Sequence, residues 1–226
     1  MRAASKDDRA AVDDARRLFT ERPDSYARFI RAVRYAPGLR AYFLASPLLS
    51  RPGLRVLDAG CGTGALTLAV HAAAHRRGVP LAALDAFDLT PAMLARLSAT
   101  LDRHDIRGVE LKEANVLALD ALPPSWRDYD LVVTASMLEY VPRERFAAAL
   151  ASLRERLRAG GTLVLFVTRR NPLTRVMIGR WWKSNLYTTT ELVTAFRQAG
   201  FETIRFPTFP LVARHLALWG HVVEAE

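Results

Sequence analysis

Residues 56–64 constrain the fold more than any other part of this sequence. They read Val-Leu-Asp-Ala-Gly-Cys-Gly-Thr-Gly, an apolar strand that ends in an acid and leads into three alternating glycines. Such glycines let the backbone turn sharply after the strand and let a ligand lie against bare main chain. Residues 65–74 are predicted to form a helix whose free N–H groups point at the loop. The pattern predicts a strand, loop and helix that hold an anionic, nucleotide-like ligand.

The acid before the glycines separates two classes of cofactor that use such a loop. Gly60, Gly62 and Ala65 also satisfy a dinucleotide fingerprint, which by itself is a weak signal. Asp58, however, would repel a pyrophosphate, whereas it suits a ligand that carries an ammonium group beside its carboxylate. S-adenosylmethionine (SAM) is such a ligand.

A second acid follows the next predicted strand. The apolar run of residues 79–87 leads into Asp88, after which Thr90 can cap a helix and Pro91 can occupy its first turn. At the carboxyl end of a strand, the two oxygens of Asp88 can accept hydrogen bonds from both hydroxyls of a ribose. Asp85 competes for this role but lies earlier, inside the predicted strand.

The sequence resembles the class I SAM-dependent methyltransferases, in particular the broad group that methylates small molecules. The resemblance runs from about Arg51 to the C-terminus and rests on four ordered segments, at residues 58–64, 88–94, 129–142 and 157–165. It implies an α/β fold, a Rossmann-like seven-stranded mostly parallel sheet with helices on both faces and an N-terminal helical extension. It also implies an enzyme that uses SAM and releases S-adenosylhomocysteine (SAH).

The resemblance implies a set of cofactor contacts. The glycine loop and Asp58 are expected to hold the methionine end, Asp88 the ribose and Leu89 the adenine, while Asn115 takes a position where the family more often has Asp. The complete expected set is Asp58, Gly60, Cys61, Gly62, Gly64, Asp88, Leu89, Met93, Asn115, Val116, Thr134 and Ala135. Cys61, the only cysteine, is interpreted as a small filler in this loop rather than a nucleophile.

Beyond the loop, strands and helices alternate in the way that builds a parallel sheet. Strands are predicted over residues 54–58, 81–88, 109–113, 131–134 and 162–167. A helix capped by Thr190 is predicted over residues 191–199, followed by closing strands at 201–206 and 216–223 that the resemblance implies to be antiparallel. We expect one compact unit, with a helical lid over residues 1–50 and the methyltransferase domain over 51–226.

The lid is predicted from periodic apolar positions before the first strand. They are Tyr26, Phe29, Ile30, Val33, Leu39, Tyr42 and Phe43, and they indicate two helices broken at Pro37 and Gly38. Because substrate and cofactor meet outside the carboxyl ends of the strands, these helices are expected to border the substrate site. Tyr26 and Tyr42 are the candidate substrate contacts on them.

The remaining candidates follow the fourth and fifth strands. Glu139 and Tyr140 are the expected catalytic residues, as base or pocket walls, whereas the five histidines are not obviously at strand ends that face the ligand. Residues 169–187 are too long for a simple connection and are expected to set specificity through Arg169, Trp181 and Trp182. The two tryptophans can cover an apolar substrate, lie at a lipid surface or simply fill a local core.

Charge leaves a second class of partner open. The net charge is +9 and the pI about 10.4, and residues 156–190 hold seven basic side chains and no acid, which predicts one positive face. The seven are Arg156, Arg158, Arg169, Arg170, Arg175, Arg180 and Lys183. An RNA or protein methyltransferase that docks through this stretch is therefore the first alternative to a small-molecule enzyme. The second alternative is a nicotinamide-dependent reductase, although this sequence contains no Tyr-x-x-x-Lys pair for its catalytic site. The third is a module that binds the cofactor without turnover.

The remaining expectations concern location and assembly. The charged N-terminus lacks the apolar run of a signal peptide and no stretch is long enough to span a membrane, so a cytoplasmic protein is expected. One cysteine excludes an internal disulfide, and no cluster of metal ligands is visible. A small-molecule substrate and a monomer or homodimer are expected, and neither nucleic acid nor a membrane surface is predicted as a partner.

Overall fold

A mixed sheet organises the protein in this computed structural model, which describes residues 31–179 and 184–226. Its strands are β1 (Leu54–Ala59), β2 (Leu81–Asp88), β3 (Val109–Glu113), β4 (Tyr129–Ala135), β5 (Leu157–Thr168), β6 (Ile204–Arg205) and β7 (Gly220–Ala225). Within the described ranges it has seven strands in the order β3-β2-β1-β4-β5-β7-β6. Strands β1 to β5 pair in parallel, whereas β7 pairs antiparallel with β5 and β6. The fold class implied by the sequence is confirmed.

Helices cover both faces of the sheet. They are α1 (Tyr35–Ala45), α2 (Ala65–Arg76), α3 (Pro91–Arg103), α4 (Phe146–Arg154) and α5 (Thr189–Gln198). Short 3-10 segments lie at Pro47–Leu49, Leu119–Ala121, Leu138–Tyr140, Arg143–Arg145 and Leu211–Leu218, and Pro172–Thr174 continues as a π-helical turn over Arg175–Gly179.

The core lies on both sides of the central strands, which explains their unbroken apolar sequences. Phe43 of α1 and Val70 of α2 share one buried cluster with Phe166 of β5. Phe146 of α4 and Phe196 of α5 belong to the cluster on the opposite face. A parallel sheet covered on both faces buries consecutive side chains, and every residue of β5 from Thr162 onward is buried.

The predicted helix break at Pro37 and Gly38 is wrong, because α1 continues through both residues. Pro37 lies in the first turn, where the N–H that proline lacks would have no helical partner. Gly38 is needed for packing, since a Cβ there would lie 2.1 Å from Cδ1 of Leu216. The helical conformation is interrupted instead at Arg34, the N-cap residue of α1, whose φ of 53° is left-handed. Tyr26, Phe29 and Ile30 lie outside the described residues.

The C-terminal predictions need correction in their bounds. The predicted strand at 201–206 shortens to β6, and the apolar run that begins at Leu216 finishes a 3-10 segment before β7 starts at Gly220. Thr188, not Thr190, caps α5, because it forms a capping box with Glu191. The antiparallel edge itself is confirmed.

The direction of β7 decides what reaches the functional edge of the sheet. Gly220 pairs with Thr168 and His221 pairs with Val167, so the beginning of β7 lies beside the end of β5. Residues at the start of this one strand therefore share an edge with residues at the ends of the parallel strands.

Candidate active site

Asp58, near the end of β1, is a fully buried carboxyl group that has no cationic partner among the described residues. Its Oδ2 accepts a hydrogen bond of 2.6 Å from the hydroxyl of Thr67 on α2. Its Oδ1 is buried and has no hydrogen-bond partner among the described residues. Burial raises the pKa of Asp58 to about 7. An unsatisfied buried acceptor of this kind suits a cationic ligand group such as an ammonium.

The three loop glycines all have left-handed φ values, of 73° at Gly60, 52° at Gly62 and 93° at Gly64. A Cβ on Gly60 would lie 2.2 Å from Cγ of Met137, and one on Gly64 would lie 2.3 Å from Cδ1 of Leu97. At Gly62, by contrast, a Cβ would meet nothing within 4 Å. The loop therefore packs tightly on two sides and leaves its bare main chain open at Gly62.

Asp88 is held at the end of β2 by two backbone donors. The N–H of Gly62 donates to Oδ2 and the N–H of Thr90 donates to Oδ1, each at 2.8 Å. Burial raises the pKa of Asp88. Each oxygen keeps a second lone pair, so the fixed carboxylate can still accept two hydroxyl groups. Asp85, the competing acid, instead accepts a 2.6 Å hydrogen bond from the buried hydroxyl of Tyr129.

Asn115, Val116 and Cys61 are further residues of the expected cofactor set. Asn115 follows β3 and its Oδ1 accepts the N–H of Leu117 at 2.9 Å, which fixes the side-chain amide in a local turn. Val116 beside it is buried. The side chain of Cys61 is buried beside Leu97, and its N–H donates to the carbonyl of Phe87. Its burial also raises the pKa of the thiol, which agrees with an inert filler.

Four more residues of that set lie nearby. Met93 is buried on α3, and Leu89 is half-buried directly after Asp88. Thr134 is wholly buried on β4 and its hydroxyl has no partner within the described ranges, while Ala135 ends the strand half-buried. The structure thus brings residues after β1, β2, β3 and β4 to one edge of the sheet.

A pocket opens at the same edge, between α1, the ends of β4 and β5, and the start of β7. Its lining is largely apolar and contains no Lys or Arg among the described residues. The lining residues are Val33, Tyr35, Ser136, Glu139, Tyr140, Phe166, Val167, Thr168, Ile178, Phe209, Leu216, Trp219, Gly220 and His221. Both expected catalytic residues, Glu139 and Tyr140, lie in this lining.

Glu139 is buried in the pocket wall, with 3 % of its surface exposed. Its Oε2 accepts the backbone N–H of Thr168 at 2.9 Å, which ties the segment after β4 to the end of β5. Burial raises the pKa of Glu139 to about 7. A carboxyl group with this pKa can exchange a proton near neutral pH.

Ser136 adopts a backbone conformation that a side chain rarely tolerates, with φ of 53°. Its N–H donates to the carbonyl of Phe166 at 3.0 Å, and its hydroxyl lies 3.3 Å from the Tyr35 hydroxyl of α1. Such strain costs about 1 to 3 kcal/mol and concentrates at functional sites. The strained residue lies where β4 meets the pocket.

His221 is the residue that sequence reasoning missed. It lies in the pocket lining, and its Nε2 is buried without a hydrogen-bond partner in the part of the chain that the structure describes. In a sheet of parallel strands only the carboxyl ends of the strands reach this edge, so the start of a strand is not expected there. The antiparallel edge, which the resemblance already implied, is the signal that could have placed the start of the last strand here.

The described residues that were expected to contact the substrate do not line the pocket. Tyr42 is 3 % exposed, donates its hydroxyl to Glu224 and packs edge-on against Phe166, so it supports the core and does not line the pocket. Tyr35 of the same helix takes the place in the lining that Tyr42 was expected to have. Arg169 is exposed and outside the lining, and Tyr26, Trp181 and Trp182 lie outside the described residues.

Of the five described arginines in the predicted positive stretch, Arg169 and Arg175 are exposed, whereas the other three are buried or paired. Arg156 is buried and donates to the carbonyls of Leu119 and Trp126. Arg158 pairs with Asp130, which accepts from the backbone of Arg55 near the start of β1, at the opposite edge of the sheet. Arg170 pairs with Glu191. The fold therefore separates some of the charges that are close together in the sequence; Arg180 and Lys183 lie outside the described residues.

Among the described residues, no group of three or more His, Cys, Asp or Glu side chains could hold a metal ion. In those same residues, no helix has the length and apolar character needed to cross a lipid bilayer.

Comparison with known proteins agrees with this geometry. A family model described as a methyltransferase domain matches residues 56–161. Carboxy-S-adenosyl-L-methionine synthase of Ectopseudomonas mendocina is 34 % identical over 121 residues, covering 51 % of this chain and 46 % of that protein. Ubiquinone biosynthesis O-methyltransferase of Aeromonas salmonicida is 32 % identical over 126 residues, covering 56 % and 48 %. The chain spans about half the length of these two relatives.

Solved structures share the fold. Magnesium protoporphyrin IX methyltransferase from Synechocystis PCC 6803 with bound SAM superposes with a TM-score of 0.66 at 16 % identity, covering 100 % of this chain and 99 % of that one. Mitomycin 7-O-methyltransferase gives a TM-score of 0.72 at 14 % identity, covering 93 % and 59 %. The match of residues 56–161 to a methyltransferase domain, the strand order and the glycine loop agree with one another, and the chain is similar to the class I S-adenosylmethionine-dependent methyltransferases.

Proposed function

We propose that this protein transfers a methyl group from SAM to a small, largely apolar acceptor that binds in the pocket. The observation that carries the proposal is that one segment joins the two sites. Met137 packs against the main chain of Gly60, while its neighbours Ser136 and Glu139 line the pocket. The methionine end of the cofactor and the acceptor therefore meet across residues 136–139.

The residues that would hold SAM fit its chemistry. Asp58 offers a buried, unpartnered oxygen to an ammonium group, and Asp88 offers two oriented oxygens to the ribose hydroxyls. Gly62 leaves main chain open where a side chain would intrude. When bound, SAM supplies a methyl group already activated by the sulfonium, so the protein has mainly to align the acceptor with it. Alignment of this kind contributes roughly 7 to 11 kcal/mol to a reaction barrier.

The lining of the pocket supports an apolar acceptor over an anionic one. Apolar walls with a few convergent polar groups are typical of small-molecule sites. The described lining contains Glu139 and no cationic Lys or Arg that would favour an anion. The paired and buried arginines likewise give no support to docking of RNA through residues 156–183.

We further propose that the N-terminal helical region, residues 1–50, acts as a lid on this site. Val33 and Tyr35 line the pocket, and the hydroxyl of Tyr35 lies within hydrogen-bond distance of Ser136 after β4. His215 of the C-terminal 3-10 segment lies 2.8 Å from the carbonyl of Val33, which holds the described part of this region in place.

Calorimetric titration with SAM, SAH and NADH tests the function directly. We expect micromolar binding of SAM and SAH and none of NADH. A folded sample that binds neither SAM nor SAH would refute the proposal, and NADH binding would favour the reductase. A screen of small acceptors for SAH release follows; binding without release on any acceptor would favour a module without turnover.

A further inference from the structure

His221 lines the pocket in which the proposed acceptor would bind. His221 is the second residue of β7 and pairs with Val167, so the reversed strand brings it to the edge where β4 and β5 end. It lines the same pocket as Ser136 and Glu139. The fold thus adds a nitrogen base to a pocket that is also lined by the segment after β4.

The Nε2 atom of this ring is buried and has no hydrogen-bond partner among the described residues. A buried polar atom without a partner is costly, so such atoms are rare unless a ligand or water supplies the missing hydrogen bond. The ring packs edge-on against Phe206 at a centroid distance of 6.0 Å. Its surroundings therefore hold it in place without satisfying Nε2.

The charged and titratable groups around His221 keep it neutral. Burial lowers the pKa of His221, and the positive charge of Arg169 at the end of β5 lowers it further, while the backbone carbonyl of Tyr187 opposes them. Glu139 lines the same pocket and is already an acceptor, because its Oε2 accepts the N–H of Thr168. At neutral pH, His221 therefore presents a free lone pair, whereas one oxygen of Glu139 is engaged.

We propose that His221 receives the proton of an acceptor hydroxyl, so that the substrate is an alcohol or phenol and the product is a methyl ether. This inference rests on the proposed function. The O–H bond breaks and its proton passes to Nε2, while the oxygen uses its electron pair to form the new O–C bond. The C–S bond breaks at the same time and its electrons return to sulfur, giving the neutral thioether of SAH.

The first experiment uses 4-nitrophenol as a spectroscopic probe, with SAH present and no turnover. The phenolate absorbs visible light and the phenol does not, so the ratio of the two forms reports proton transfer in the pocket. In the wild-type protein we expect a phenolate-to-phenol ratio higher than in His221→Gln by roughly tenfold, the worth of one hydrogen bond to a charged group. His104→Gln, an exposed histidine at the end of α3, is the matched control and should behave as wild type.

The outcomes separate this inference from the proposed function. Equal ratios in wild type and His221→Gln, or a loss of the phenolate in Glu139→Gln alone, would overturn the role of His221. Failure of wild type to bind the phenol while it binds SAH would overturn the hydroxyl acceptor. Failure of the wild-type protein to bind SAH would instead overturn the proposed function.

A measurement on the unmodified protein guards against a variant that does not fold. In wild type labelled with ¹⁵N-histidine, addition of 4-nitrophenol should move the Nε2 resonance of His221 toward the protonated or hydrogen-bonded position. The resonance of His104 should stay in place. An unmoved His221 resonance at saturating probe would overturn the proposal.

Discussion

At the scale of single residues, Asp58 shows how one side chain can oppose folding and favour binding. Its carboxyl group is fully buried with one partner, Thr67, and one unsatisfied oxygen. Ionising it without a counter-ion is costly, which is why its pKa rises from 3.8 to about 7. The ligand that supplies a positive charge removes this cost.

Asp58→Asn should therefore stabilise the protein when no ligand is bound. Because the pKa of Asp58 is higher in the folded state, its contribution to stability is fully present below about pH 4 and is lost as the pH rises through 7. In urea unfolding, the free energy of unfolding of Asp58→Asn relative to wild type should increase by about 2 to 3 kcal/mol from pH 5 to pH 8. The exposed Asp102→Asn serves as control. No gain at pH 8 would mean that the buried carboxylate is compensated in another way.

Asp88→Ala should weaken SAM binding by about 1.5 to 3 kcal/mol, the usual worth of hydrogen bonds to a charged group. The same variant leaves the N–H groups of Gly62 and Thr90 without their acceptor, so the loop also loses a support. Calorimetric titration measures the affinity, and circular dichroism checks the fold. An unchanged affinity in the folded variant would refute the ribose assignment.

At the scale of elements, the glycine loop can be tested with a matched pair of substitutions. Gly62 and Gly78 both have left-handed φ values, 52° and 66°, and a Cβ on either would meet nothing within 4 Å. Each change to Ala should cost about 1 kcal/mol of stability through backbone strain. Only Gly62→Ala should lose SAM affinity, because only its Cβ enters the cofactor site. Equal affinities in the two variants would mean that the ligand does not approach Gly62.

The elements also show what could be predicted from the sequence. Strands β1 to β3 follow from apolar runs that end in acids or turns, and β2 and β3 have the predicted bounds. Predictions failed where one local signal fits two structures. The run that begins at Leu216 is apolar enough for a strand but finishes a 3-10 segment, and Pro37 can end a helix or start one. Which structure forms depends on tertiary packing, as between Gly38 and Leu216.

The candidate site divides in the same way. Asp58, Asp88 and the glycine loop were predictable because each directly follows a strand or forms its turn. Tyr42 and His221 were not, because their roles depend on which way α1 faces and which way β7 runs. A periodic pattern identifies a buried face, but it does not tell a core residue from one that lines a pocket.

At the scale of the whole molecule, part of the basic charge of the described residues is paired or buried, as at Arg158, Arg170 and Arg156. We expect added polyuridylate to leave the SAM affinity unchanged at physiological salt. Fluorescence anisotropy with labelled RNA provides the direct check. Saturable RNA binding with a steep dependence on salt concentration would contradict this and revive the docking alternative.

The contact between Met137 and Gly60 also has a consequence for how the two ligands affect each other's binding. An acceptor in the pocket would contact Ser136 and a donor in the loop would contact Gly60, and Met137, next to Ser136, packs against Gly60. The two binding equilibria are then thermodynamically linked. By reciprocity, whatever factor the donor applies to the affinity for the acceptor, the acceptor applies to the affinity for the donor.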